Sequence, residues 1–186
     1  AGVWHNQDGT QVTFTNCSFT GTLSANVDGV DLSDNTIVGN PYSSSGKGSL
    51  WVNGTDAYAY VGTEANAKKA IEKYTTIKLF AGEYLIDLYN IAERETLNII
   101  GTEGTKVKFA NLQVRASQFK NFTIKNCEIL RMPNKTWGHL VFGSGTKADG
   151  VYTVDNCIFN GQDSQGIFIN ENTSGATYNI TNCTFD

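Results

Sequence analysis

The chain has 186 residues, of which 40% are apolar and only 17% charged, with 19 Gly, 2 Pro and a formal net charge of −4. The length suits one domain with its own core, and a remainder rich in Asn, Thr, Ser and Gly suits short strands and tight turns rather than long helices. The charge excludes a basic field for nucleic acid or an anionic membrane, and no stretch approaches the roughly 20 apolar residues of a membrane span.

The chain opens on Ala1 with no signal peptide in view, as expected of a processed or excised chain. Residues 12–21 read "VTFTNCSFTG", and residues 21–39, "GTLSANVDGVDLSDNTIVG", predict a strand pair with Val27, Val30, Leu32 and Ile37 inward. Residues 40–63 begin "NPYSSSGKGS" and read as a flexible linker. "GTEANAKKAIEKY" is the good helix signal: Thr63 is the N-cap candidate, and Ala67, Ala70, Ile71 and Tyr74 share a face. A short capping helix near residues 64–73 follows. "TTIKLFAGEYLI" then alternates as a strand with a Gly turn.

The remaining chain repeats one phrase: "FTIKNCEIL", "YTVDNCIFNG" and "YNITNCTFD", each matching the Asn-Cys phrase near the start. Apolar residues alternate before Asn, which marks a strand with one buried face. After Asn the alternation resumes, with Cys157 inward, Ile158 outward and Phe159 inward. Two inward-facing strands joined at one Asn require a sharp bend, and Asn tolerates the left-handed conformation that such a bend uses. Short apolar strands at "HLVFG" (139–143) and "GIFIN" (166–170) add a third piece per repeat. Units of this size, stacked, make a solenoid. The expected fold is all-β, a right-handed parallel β-helix. Asn16, Asn126, Asn156 and Asn182 form a corner ladder, and Cys17, Cys127, Cys157 and Cys183 an interior column. Four cysteines can pair in three ways in an oxidising compartment, but parallel Cβ vectors disfavour the disulfide torsion of about 90°, so Cys127, Cys157 and Cys183 are expected as free thiols. Neither a CxxC nor a His cluster suggests zinc, and no cofactor is expected.

The helix-then-strand passage resembles the N-terminal cap and first coil of the pectin-lyase-like right-handed β-helix superfamily. "TIKLFAGEY" is similar to the opening strand there, and "FTIKNC" to the Asn-cornered coils; the resemblance spans about residues 60–186. It implies a fold and little about activity, because the superfamily holds lyases, hydrolases, adhesins and viral spikes.

The first phrase lies ahead of the cap helix, whereas the chain stops at Asp186 within a strand, and a solenoid's last coil needs a cover. Residues 1–186 therefore read as one β-helix domain in circularly permuted order, natural or engineered. Residues 1–39 are displaced terminal coils, 40–63 the linker, and 64–186 the cap helix and main coils. Some six coils would span roughly 30 Å, within reach of a linker that extends about 80 Å. Two other placements stay open: residues 1–39 cap a neighbouring subunit in a head-to-tail fibre, or they form an extra coil before the cap.

Chemistry is sparse. Asp28, Asp31 and Asp34 lack the alternate spacing of a calcium loop, and solvated turns are the competing reading. Asp149, Asp155, Asp163 and Glu171 are candidates for the facing carboxylates of a glycoside hydrolase, without a family motif around them. The most distinctive loop is "RMPNKTWGH", residues 131–139. There Arg131, Lys135, Trp137 and His139 are ligand-binding candidates, Trp137 for sugar stacking, against a packing role that closes the loop. Seven Asn-x-Ser/Thr sequons reflect the Asn/Thr-rich repeat, as in a bacterial or phage protein. The expected function is a non-enzymatic extracellular or surface module for structure or adhesion, with carbohydrate or a host surface as partner. The alternatives are a polysaccharide lyase or hydrolase, and a phage, viral or fibre-forming subunit that completes its coils between chains.

Overall fold

The structure, a computed structural model, describes residues 4–5, 12–19, 24–25, 30–37, 50–52, 58–61, 64–88, 91–110, 113–114, 118–132, 139–142, 149–160, 166–169 and 175–186. Strands β1 (Trp4–His5), β2 (Val12–Phe19), β3 (Ser24–Ala25), β4 (Val30–Ile37), β5 (Leu50–Val52) and β6 (Tyr58–Val61) precede helix α1 (Glu64–Lys73). Then come β7 (Thr76–Leu79), β8 (Gly82–Ile86), β9 (Arg94–Gly101), β10 (Thr105–Phe109), β11 (Gln113–Val114), β12 (Phe119–Lys125) and β13 (Glu128–Leu130). The series closes with β14 (Leu140–Phe142), β15 (Val151–Asp155), β16 (Ile158–Asn160), β17 (Ile167–Ile169), β18 (Thr177–Thr181) and β19 (Thr184–Phe185).

Three sheets make up a parallel β-solenoid, in the orders β18-β15-β12-β9-β7-β6-β5, β19-β16-β13-β10-β8 and β11-β14-β17. Strands β9–β10–β11, β12–β13–β14 and β15–β16–β17 are three complete turns, with β7–β8 and β18–β19 as partial turns at either end. Pairing within the stack is parallel except at β5–β6. Residues 40–63, expected to be a flexible linker, contain β5 and β6, which extend the largest sheet. "LWV" and "YAYV" are aromatic and β-branched runs, whose shape favours a pleated sheet over coil.

Like residues stack in register from coil to coil. Leu97, Phe122, Tyr152 and Tyr178 form one column, and Ile77, Ile99, Ile124, Val154 and Ile180 the next. Across the corner, Val107, Ile129, Phe159 and Phe185 form a third. All of these are fully buried up to the β15–β16 coil. Tyr152 and Tyr178 stack with ring centroids 5.3 Å apart, and Phe159 and Phe185 at 4.9 Å. Burying such side chains is the main force that joins coils, at roughly 1.5–3 kcal/mol each.

The N-terminal end of the main stack is covered by α1, whose Ala67, Ala70, Ile71 and the following Tyr74 are buried as its periodicity predicts. Arg94 on β9 donates to the carbonyls of Glu72 (2.7 Å) and Tyr74 (2.9 Å), satisfying groups that the helix C-terminus leaves open. The proposed N-cap Thr63 lies outside the described residues. No helix among the described residues is long and apolar enough to cross a membrane.

Strand β2, which carries the first Asn-Cys phrase, pairs in parallel with β4, and β4 lies against β5. In the largest sheet β5 and β18 stand at opposite ends. A seat for Cys17 beside Cys183 of the same chain is not among the described pairings. Val27 lies outside the described residues, as do the side chains of Val30, Leu32 and Ile37.

Candidate functional site

Each Asn-Cys phrase folds the same way. Asn16, Asn126, Asn156 and Asn182 all take left-handed conformations, with φ of 54°, 57°, 50° and 54°. In each phrase the Cys sulfur donates to the carbonyl two residues earlier: Cys17 to Thr15 (3.4 Å), Cys127 to Lys125 (3.2 Å), Cys157 to Asp155 (3.4 Å) and Cys183 to Thr181 (3.2 Å). A left-handed Asn turns the chain, and the next side chain is buried at Cys127 and Cys157; Cys17, expected in the same interior column, is exposed, on a strand whose pairing shifts register at the bend. Asn156 Nδ2 donates to Asn126 Oδ1 at 2.9 Å, one rung of the corner ladder. The next rung differs: Asn182 Nδ2 donates to Asp155 Oδ1 at 2.9 Å. Asn16 lies on β2, where the pairing with β4 shifts register around the bend.

Cys127 and Cys157 are buried, Cys183 is half-buried and Cys17 exposed. Cys127, Cys157 and Cys183 are thiols. Cys157 and Cys183 also lie 3.8 and 3.6 Å from the carbonyls of Ile124 and Val154 on the preceding coil. Burial raises the Cys127 thiol far above its ordinary value, and Cys157 beside it adds to the effect. Burial likewise pushes Cys157 up to about 11. Neither has the lowered pKa of a nucleophilic or metal-binding cysteine.

The column continues one coil further through a residue the phrase does not reveal. At the β9–β10 corner, Gly101 and a turn at Thr102–Gly104 replace Asn-Cys. Gly104 is left-handed at φ 83°. Thr105 is 2% exposed, and its hydroxyl meets the carbonyls of Leu79 (3.0 Å) and Phe80 (3.2 Å). A Cβ on Gly101 would stand 2.4 Å from the Asn126 carbonyl oxygen and 2.8 Å from the Cys127 sulfur, so the close approach of the two corners requires glycine there. A groove of about 520 Å³ follows this corner, lined by Glu103, Asn126, Glu128 and Asn156 among others. Amides and carboxylates in a row are hydrogen-bond partners for a polyhydroxylated ligand.

Charged side chains on the outer faces join neighbouring coils. Lys106 pairs with Glu128 at 3.1 Å, Lys108 with Glu83, and Lys125 with Asp155 at 3.4 Å. Lys120 lies 2.9 Å from Asp149 and 3.8 Å from Glu95. Hydrogen bonds from Thr181 and Asn182, then Lys125, hold the Asp155 carboxyl below its ordinary range. A general acid needs the opposite shift. Two of the four carboxylates expected for a hydrolase, Asp149 and Asp155, are thus tied to lysines; Asp163 and Glu171 lie outside the described residues. So does Asp28, along with the side chains of Asp31 and Asp34. No group of three His, Cys, Asp or Glu among the described residues is placed to hold a metal.

The 131–139 loop is divided. Arg131 is partly buried at the end of β13, whereas Lys135 and Trp137 lie outside the described residues. His139 is 4% exposed, and its ring stands edge-on to Phe159 at 6.2 Å. It is part of the interior and offers no ring to a surface ligand.

At the β18–β19 end the columns lose their cover. Val154 is fully buried, but Ile180 above it is 41% exposed; Phe159 is 1% exposed, but Phe185 above it is 55%. Strands β18 and β19 are outermost in their sheets. No protein-family model matches the chain, and no curated protein or solved structure matches it either.

Proposed function

We propose that the chain is a structural module, a β-solenoid segment of the extracellular or cell-surface kind, rather than a catalyst. The observation that carries this reading is the use made of its charged groups. Lys106, Lys108, Lys120 and Lys125 each bind a carboxylate on an adjacent coil, so the ionisable groups tie the stack together. Opposite charges on neighbouring strands favour the register in which the coils stack, and solvent screens such exposed pairs. The similarity of "TIKLFAGEY" and "FTIKNC" to the pectin-lyase-like superfamily supports the same reading, since that superfamily includes adhesins and viral spikes. The corner groove along Asn126 and Asn156 is the place where such a module would hold a carbohydrate.

The test is to incubate the purified chain with pectate, alginate and neutral glycans, and to measure both depolymerisation and binding. The module reading expects intact polymer, and binding that weakens when Asn126 and Asn156 are replaced by Gly. Chain cleavage that disappears with Asp155→Asn would sink it.

A further inference from the structure

We infer that the corner groove takes a glycan chain without carboxylate groups, laid parallel to the solenoid axis with one sugar to each coil over three coils. This rests on the reading of the groove as the place for carbohydrate, and narrows it. Three observations carry it. The first is the repeat in the lining. The groove of about 520 Å³ draws the turn around Glu103 from one corner, Asn126 and Glu128 from the next, and Asn156 and Ile158 from the one after. These corners belong to successive coils, since β10 pairs with β13 and β13 with β16. Paired strands repeat every ~4.8 Å, which is close to the length of one pyranose ring in an extended chain. A polymer along the axis therefore meets a polar group at each sugar. One lying across the coils would meet a single corner and leave it.

The second is the orientation of the amides. Asn126 and Asn156 are both exposed at the bend, with left-handed backbones at φ of 57° and 50°. The bond from Asn156 Nδ2 to Asn126 Oδ1, at 2.9 Å, fixes which way each amide faces. It leaves Asn126 Nδ2 as a donor and Asn156 Oδ1 as an acceptor for hydroxyl groups. Ile158, 46% exposed, adds an apolar surface for the C–H face of a ring.

The third is charge. Among the described residues the charged side chains that line the groove are Glu103 and Glu128. Glu128 meets Lys106 at 3.1 Å, whereas Glu103 stands exposed on its turn. A carboxylate accepts hydrogen bonds from sugar hydroxyls, but it repels the carboxylate of a uronate. The groove thus discriminates against acidic polymers.

The experiment is isothermal titration calorimetry of the full chain with oligosaccharides of increasing length, in three series: neutral hexoses, 2-amino-2-deoxyhexoses and galacturonates. A carboxylate-free series is expected to bind, tightening with each sugar up to the three coils of the groove and levelling off beyond. Galacturonates should bind at least about tenfold more weakly. Asn156→Gly should weaken binding about tenfold. Asn182→Gly, at a corner of the same conformation outside the groove, should leave binding unchanged. Glu103→Lys, on the exposed turn, should raise the affinity for galacturonates. Far-UV circular dichroism checks the fold of each variant, and should Asn156→Gly not fold, Glu103→Lys and the chain-length series decide. Tighter binding of galacturonates than of either other series, or affinity indifferent to chain length, overturns the inference and leaves the carbohydrate reading standing. Heat of binding from none of the three series overturns both.

Discussion

Replacing Asn156 by Ala should cost more stability than replacing it by Gly, and the difference measures the corner. Asn156 sits at φ 50° and donates to Asn126 at 2.9 Å. An L-residue with a Cβ pays roughly 1–2 kcal/mol in this region, and Asn offsets part of that through local hydrogen bonds. The rung is exposed, so its loss adds the low end of the hydrogen-bond range, about 0.5 kcal/mol. Asn156→Ala should therefore lose about 1.5 kcal/mol. Asn156→Gly loses the same bond but relieves the backbone, leaving about 0.5 kcal/mol. For a chain of this length 1 kcal/mol moves Tm by about 2–4 °C, so Ala should melt about 3–6 °C lower and Gly about 1–2 °C lower. Thermal unfolding followed by circular dichroism provides the measurement. If Ala and Gly melt together, backbone strain at the corner is not what Asn156 relieves.

Three further outcomes are expected. Gly101→Ala forces a methyl against the Asn126 carbonyl oxygen (2.4 Å) and should destabilise by about 1–3 kcal/mol in urea unfolding; an unchanged midpoint would refute the close approach. Asp155 has a folded-state pKa below its unfolded value near 3.8, so its contribution is present above that value and is lost as pH falls through the folded one; Asp155→Asn should flatten the acid limb of a stability–pH curve, and an unaltered limb would contradict the bonds to Thr181 and Asn182. Cys127 and Cys157 should resist a thiol reagent at pH 8 in the folded protein while Cys17 reacts, and unfolding without reductant should release them; their failure to react when unfolded would mean disulfides.

Much of the coil was legible in the chain because its causes are local. Alternation over "YTVD" sets which residues face inward, and a left-handed Asn is a property of one residue, so Tyr152, Val154, Cys157 and Phe159 were placed by pattern and are buried. Thr105 was not legible. Three extra residues, Thr102–Gly104, interrupt the phrase at its corner, and only the pairing of β10 with β8 and β13 shows that Thr105 follows the same bend as Cys127. His139, read both as the edge of the "HLVFG" strand and as a ligand-binding candidate, takes the first place and not the second. Its neighbours Arg131, Lys135 and Trp137 suggested a polar loop, but it immediately precedes β14, whose three residues are all buried, and it turns inward with them.

The sequence by itself determined the repeat unit, the strand–Asn–strand corner, the helix that covers the first coil and the all-β parallel stack, since each follows from periodicity or from the backbone preference of a single residue. Only the tertiary structure decided which carboxylate meets which lysine, why Gly101 has no side chain, and that β5 and β18 stand at opposite ends of the largest sheet. These depend on the register between coils 20 to 30 residues apart, which no local pattern encodes. They are set when stacked columns such as Phe122–Tyr152–Tyr178 slide to the position that buries the most apolar surface.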